Sequence, residues 1–252
     1  MNLRLVLFFF APFISNYLGA EVDLPTSEEL SKLEKKYSEI DRTCTKRILK
    51  NSVDISSFSS RGDARLFLGD FKGARLDYEK MIELNPNLEL SHWRLGIVYF
   101  YLSEFKMASR QFEIYHQFDE VDRENGIWRF MSQFQLSGLN KARKDLLRYS
   151  QDDRPPYPWL YSMFAGEISP EDVFDRIKQQ HFPPQYEVRV LFHANLYVGI
   201  YLELTEEDPQ RAMNYLAHAT ANQYGRSTGT YMWQVARLHH ARLVRSVQKL
   251  QN

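Results

Sequence analysis

Seven histidines, one cysteine and several acidic clusters are the residues of this chain whose types could do chemistry. His239 and His240 are adjacent, which on a helix points them about 100° apart, so they cannot grip one ion as an i, i+4 pair does. His92, His116, His181, His193 and His218 are scattered, and none has the spacing of a helical HExxH zinc motif. They read as polar helix-surface or capping residues. Cys44 is alone, which excludes an internal disulfide framework and any multi-cysteine metal site. A buried free thiol is its simplest state, and pairing with another chain is the alternative. Asp119-Glu120-Val121-Asp122 and Glu206-Glu207-Asp208 fall at helix junctions and read as solvated caps. No glycine-rich phosphate loop and no GxSxG elbow occurs. The expectation is a non-catalytic chain with no cofactor and no metal.

Composition narrows the class. Hydrophobic residues make up 44% of the 252 and aromatics 14%, an ordinary globular balance that excludes disorder and low complexity. Lys plus Arg and Asp plus Glu are 32 each, so no nucleic-acid partner is expected from net charge. The balance hides an asymmetry. From Pro209 to Asn252 there is no acid and there are six bases, whereas 21–208 holds 32 acids against 25 bases, a net of −7. Arg237, Arg242, Arg245 and Lys249 form a candidate basic patch on the last helix, suited to an acidic partner or an anionic surface. Cation enrichment near a helix C-terminus is the plainer account.

The N-terminus reads as an export signal. Arg4 precedes the apolar run Leu5–Ile14, and Gly19-Ala20 offers small residues for cleavage. The run is about half the length of a membrane span, which needs roughly 20 residues. A periplasmic or secreted chain, with no transmembrane span once the leader is removed, is expected.

A period of 34 residues organises the chain beyond this leader. Gly62 and Gly96, Phe71 and Phe105, Ala74 and Ala108, and Tyr78 and Phe112 all keep that offset. Small residues let two antiparallel helices approach, and the large ones fill the gap to the next pair. The expected layout is a leader at 1–20, a charged N-terminal helix at 21–54 and two repeats at 55–122. Degenerate helical repeats with a proline-rich linker occupy 123–180, and a C-terminal pair and basic capping helix occupy 185–252. Helices are expected at Asn125–Gln135, Leu139–Tyr149, Tyr157–Ala165, Val188–Leu204, Pro209–Tyr224 and Thr230–Leu250. Nothing alternates with period two, so no sheet is expected.

Leu95-Gly96, Tyr99, Ala108 and Phe112 resemble the signature of the tetratricopeptide repeat, which implies an all-α solenoid of helical hairpins with N- and C-terminal capping helices. The first unit departs from it, with Arg61 and Arg65 where leucine and tyrosine are usual. The segments SHWRLGIVYFYL, ARKDLLRYSQDD, AGEIS and LYVGIYLEL also resemble the NlpI-type tetratricopeptide lipoproteins of bacterial envelopes. That resemblance implies a scaffold holding a protease or cell-wall hydrolase. Glu21 stands where a lipidation cysteine would follow Leu18-Gly19-Ala20, so lipid anchoring is not implied.

The face opposite the signature is left for a concave groove. In the second unit that stripe is Leu90, Trp93, Ile97, Phe100 and Tyr101, and the first unit contributes Asp63 and Phe67. As a groove it would hold a peptide or partner helix; as an apolar stripe at helical spacing it is equally a core surface. The first unit lacks the Lys and Asn with which some relatives clamp a terminal carboxylate. The N-terminal helix, with Leu30, Leu33, Tyr37 and Ile40 on one stripe, either caps the first repeat or joins a second copy. A protein or peptide partner is expected, and a small molecule or cell-wall fragment in an inter-repeat cavity is the alternative.

Overall fold

The structure, a computed structural model, describes residues 22–151, 153–205 and 209–251. The expected leader lies outside them. The described residues are all-α, with no strand. The first five helices are α1 (Ser27–Lys50), α2 (Ile55–Leu68), α3 (Phe71–Leu84), α4 (Trp93–Tyr101) and α5 (Phe105–Phe118). Then come α6 (Arg123–Ser137), α7 (Leu139–Lys144), α8 (Tyr157–Ala165) and α9 (Pro170–Gln179). The last four are α10 (Pro184–Thr205), α11 (Pro209–Ala221), α12 (Gln223–Thr228) and α13 (Tyr231–Gln251). None of them is long and apolar enough to cross a membrane.

Local signals set the ends. Thr26 and Glu29 close a capping box on α1. Asp54 and Asp70 accept from the backbone N–H of Ser57 and Gly73 at the starts of α2 and α3. Ser169 caps α9 with Pro170 behind it. The 34-residue period appears as two hairpins, α2–α3 and α4–α5. At Gly62 a Cβ would sit 2.5 Å from the Tyr78 ring, and at Gly96 2.6 Å from the Phe112 ring. Both rings are fully buried, so the glycines are what let each pair close.

The first repeat's two arginines find their reason on α3. Arg61 and Arg65 both reach Asp77, Arg61 through two nitrogens at 2.6–3.1 Å and Arg65 at 3.0 Å. Asp77 is 1% exposed. Arg65 also holds Asp41 of α1 at 3.0 Å and Arg61 holds Thr45 at 3.0 Å, so the polar core ties the N-terminal helix to the first repeat.

Two expected helices are shorter. The segment Leu139–Tyr149 is helical only to Lys144. The carbonyls of Asp145 and Leu147 instead accept from Arg129 at 2.7 Å and Tyr161 at 2.5 Å, and Tyr149 donates to the Asp122 carbonyl. The segment Pro209–Tyr224 breaks after Ala221, where Asn222 caps the separate α12. Consecutive hairpins stack from α2 to α11, and α13 packs on α11 and turns back to α2. Arg226 of α12 meets Asp23 and Glu29 at 2.6–2.9 Å, so α12 reaches back to the start of the described chain.

Candidate functional site

The aromatic stripe forms, and α13 lies on it. Ile97, Phe100 and Tyr101 are buried. Tyr101 shares a hydrogen bond with His239 at 2.9 Å. Trp93 meets Tyr231 edge to face with centroids 4.8 Å apart. Phe67 packs between Tyr37 and Tyr231, each at 5.0 Å. Asp63 accepts from Tyr78 at 2.5 Å and from Arg94 of the next repeat at 2.8 Å, which makes it an inter-repeat tie. Leu90 is not on α4 at all; it lies in a 3-10 turn, Pro86–Ser91, and is 48% exposed. An open groove over this stripe is therefore corrected: a core surface is what these residues build, because α13 meets Trp93 and Tyr101 while Trp128 of α6 and Phe105 of α5 pack on Phe100.

The basic patch is also divided. Arg237 donates to the Phe67 carbonyl at 2.5 Å and Arg242 reaches Glu203 at 3.3 Å over the Tyr101 ring. Arg245 and Lys249 remain on the exposed side of α13. The histidines expected at the surface include three buried ones, His92, His193 and His239. His239 is held between Tyr101 and Glu203; burial pulls the Glu203 pKa upward, and its contacts with His239 and Arg242 outweigh that and lower it to about 2. Cys44 is buried and unbridged, with burial raising its pKa. Among the described residues no group of His, Cys, Asp or Glu is placed to hold a metal.

What α13 leaves uncovered is a cavity of about 270 Å³ at the middle of the stack. Trp93 and Ile97 of α4 and Trp128 of α6 form one side of it. Tyr224 of α12 and Tyr231 with Met232 of α13 form another. Its polar lining is Asp122, Glu124 and Asn125 at the start of α6, His193 of α10 and Thr230. Two predicted residues, Trp93 and Ile97, are brought here; the others are not. Glu124, Trp128, His193 and Tyr224 escaped the sequence because they come from three elements separated by tens of residues. Asp122 was visible, though as a solvated cap.

The two carboxyls are held differently. Asp122 accepts from the Glu124 N–H at 3.0 Å and from the Asn125 amide at 2.7 Å, fixing the first turn of α6. Glu124 accepts from the Tyr197 hydroxyl, which in turn accepts from Trp128 Nε1 at 3.2 Å. Arg154 stands 3.9 Å from Glu124, beyond hydrogen-bond length, and is drawn to Asp153 at 3.0 Å. Burial is the main cause that lifts Glu124 to about 7, with Asp122 adding to it and the tyrosines and Arg154 opposing it. Burial likewise lifts Asp122 to about 6. Tyr157 and Tyr197 are pushed well above the ordinary tyrosine value, so at neutral pH they keep their protons. Tyr157 pairs with His193 Nδ1 at 2.9 Å, and burial keeps that imidazole neutral, lowered to about 3. At neutral pH the cavity thus offers one carboxyl able to exchange a proton and a ring of aromatic walls. No lysine or arginine is among its described lining residues.

These groups set a pH profile for stability. Asp122 and Glu124 bind protons more tightly folded than unfolded, so their contribution is full below about pH 4 and is lost as pH rises through about 6 and about 7. His193 and His92 act oppositely: burial lowers them to about 3 and about 4, so stability present above about pH 6.5 is lost as pH falls through those values. The two sets oppose each other between about pH 4.5 and about pH 6, both are spent above about pH 8, and the net fall lies on the acid side, below about pH 4. Glu124→Gln should remove the loss that Glu124 contributes between about pH 4.5 and about pH 8, on the order of 3 kcal/mol. Urea unfolding at half-unit pH steps reads this directly; a variant whose stability follows the native profile over that interval would refute the assignment.

No protein-family model matches the chain. Among solved structures it is similar to that of the MamA RS-1 ArsTM double mutant, at 14% identity and a TM-score of 0.40, over 77% of this chain and 96% of that one. The helical-hairpin repeat rests on the chain's own geometry, the two glycine–ring contacts 34 residues apart.

Proposed function

We propose that this chain is a non-catalytic helical-repeat scaffold that binds another protein, and that it works in the cell envelope. The observation behind the binding role is the cavity beside Trp93, on the face that such repeats use for ligands, walled by aromatics and holding a polar floor. The envelope setting rests on the leader-like run Leu5–Ile14. A protease or cell-wall hydrolase is the kind of partner that the NlpI-type resemblance suggests. The cavity is near the lower end of ligand pockets, roughly 300–1,000 Å³, so it suits a side chain inserted by a partner more than a peptide laid along a groove. The same size favours, as a second reading, a small free ligand over a bulky cell-wall fragment.

Photo-crosslinking in cells tests the scaffold reading. A photoreactive residue at position 93 should trap a discrete envelope protein, whereas one at Leu136, exposed on α6, should not. Equal trapping from both positions, or a trapped partner from the cytosol, would overturn it.

A further inference from the structure

We propose that the cavity beside Trp93 binds a protonated amine or guanidinium on a short apolar stem, with Glu124 and Asp122 as its counter-charges. The proposal rests on reading that cavity as the binding site, and adds the chemistry of what enters it.

Three observations lead to it. The only formal charges among the lining residues are the carboxylates of Asp122 and Glu124. The nearest cation, Arg154, is shared: it lies 3.0 Å from Asp153 and only 3.9 Å from Glu124, with its guanidinium over the Tyr157 ring. Three acids, Asp122, Glu124 and Asp153, face Arg154, and the other arginine near the walls, Arg189, lies over the Tyr224 ring on the far side, so the ionised site still carries a surplus of negative charge. Finally, the walls are aromatic. Trp93 and Trp128 present indole surface, and a cation near such faces gains attraction in a desolvated site. An acid pair without aromatic walls would favour a hydrated metal ion, and aromatic walls alone would favour a neutral apolar group. Both together select an organic cation. The volume of about 270 Å³ limits it to side-chain size.

Protonation makes the binding pH-dependent in a defined direction. The groups facing the pair are Arg154, Asp153, Asp119, Tyr157 and Tyr197, with neutral His193 on the far wall and Arg189 over the Tyr224 ring beside it. A cation stabilises the ionised carboxyls, so its binding releases a proton and strengthens as pH rises from 5 to 8.

The same chemistry has two sources, a free amine or a lysine or arginine side chain of a partner protein. Calorimetric titration of the full chain with benzylamine, its uncharged analogue benzyl alcohol, benzoate and an acetylated Gly-Arg-Gly amide separates them. At pH 8 benzylamine should bind at least about tenfold tighter than benzyl alcohol, and benzoate weakest of all. The preference should shrink toward pH 5 and vanish in Glu124→Gln. Tighter binding of the peptide identifies a partner side chain, and tighter binding of the amine a free ligand; either supports the proposal. Alcohol or benzoate binding as well as the amine does, or no binding by any of the four, overturns it. Should Glu124→Gln fail to fold, the amine-to-alcohol ratio in the native chain decides alone. If that ratio is one while position 93 still traps an envelope partner, the cation site falls and the scaffold reading stands. Selective amine binding without trapping gives the converse.

Discussion

Asp77→Ala is expected to destabilise the chain by about 3–5 kcal/mol. Asp77 is buried and receives both Arg61 and Arg65, whose side chains are only 12% and 21% exposed. Removing it leaves two guanidiniums facing each other in a site that water scarcely reaches, so the cost is that of stranded charge more than of a missing bond. Arg65 would keep Asp41 and Arg61 would keep Thr45, neither of which replaces a bidentate carboxylate. The cluster carries its own control. Asp77→Leu combined with Arg61→Leu and Arg65→Tyr removes the charges together and brings the usual leucine and tyrosine of the repeat into the first unit. That triple variant should recover most of the loss, because a well-packed apolar set commonly equals a buried ion cluster in stability. Urea midpoints of the two variants decide the matter. A loss below about 1 kcal/mol for Asp77→Ala would show that water reaches the cluster.

A chain ended at Gly229 should lose cooperative folding. Without α13, the partners of Met232, Trp233, Val235 and Leu243 are laid open, and at about 1.5–3 kcal/mol for each large apolar side chain that is about 6–12 kcal/mol. Whole domains hold about 5–15 kcal/mol, so the loss is of the order of the total. Hydrogen bonds add to it: Trp233 to the Thr220 carbonyl at 2.9 Å, Gln234 to Tyr37 at 2.8 Å, and Arg237 to the Phe67 carbonyl. Near-UV circular dichroism should collapse while far-UV helicity falls less, since the hairpins α2–α3 and α4–α5 are local. Cooperative melting of the shortened chain at the native temperature would mean that α13 is a detachable strap and that the stripe beneath it is a groove after all.

Much of the architecture was legible because its causes are local or periodic. Caps such as Thr26, Asp54, Asp70 and Ser169 act within three residues of themselves. The glycine and ring pairs at 34-residue spacing encode a contact that is the same in each hairpin. Helix lengths failed where a distant side chain took a carbonyl out of the helix, as Arg129 and Tyr161 do beyond Lys144. No pattern within 139–149 contains that information. The stripe on α4 was legible as apolar and helical, yet whether its cover came from a partner or from the chain itself depended on α13, more than a hundred residues further on.

The candidate site divides in the same way. Trp93 and Ile97 were found because they repeat along one helix face. Glu124 and His193 were not, because their meaning comes from burial: an acid in the first turn of a helix is ordinary until Tyr197 and Trp128 close over it. The helical hairpins, their 34-residue period and the charge asymmetry between the two parts of the chain can all be read from residue order alone. These arise from backbone capping, residue size and counts of charge. Packing alone brings α13 onto Trp93 and Tyr101, sets Asp77 against Arg61 and Arg65, and gathers two carboxyls and two indoles in one cavity. Those depend on which surfaces exclude water together, and desolvation is a property of the packed chain, not of any segment in it.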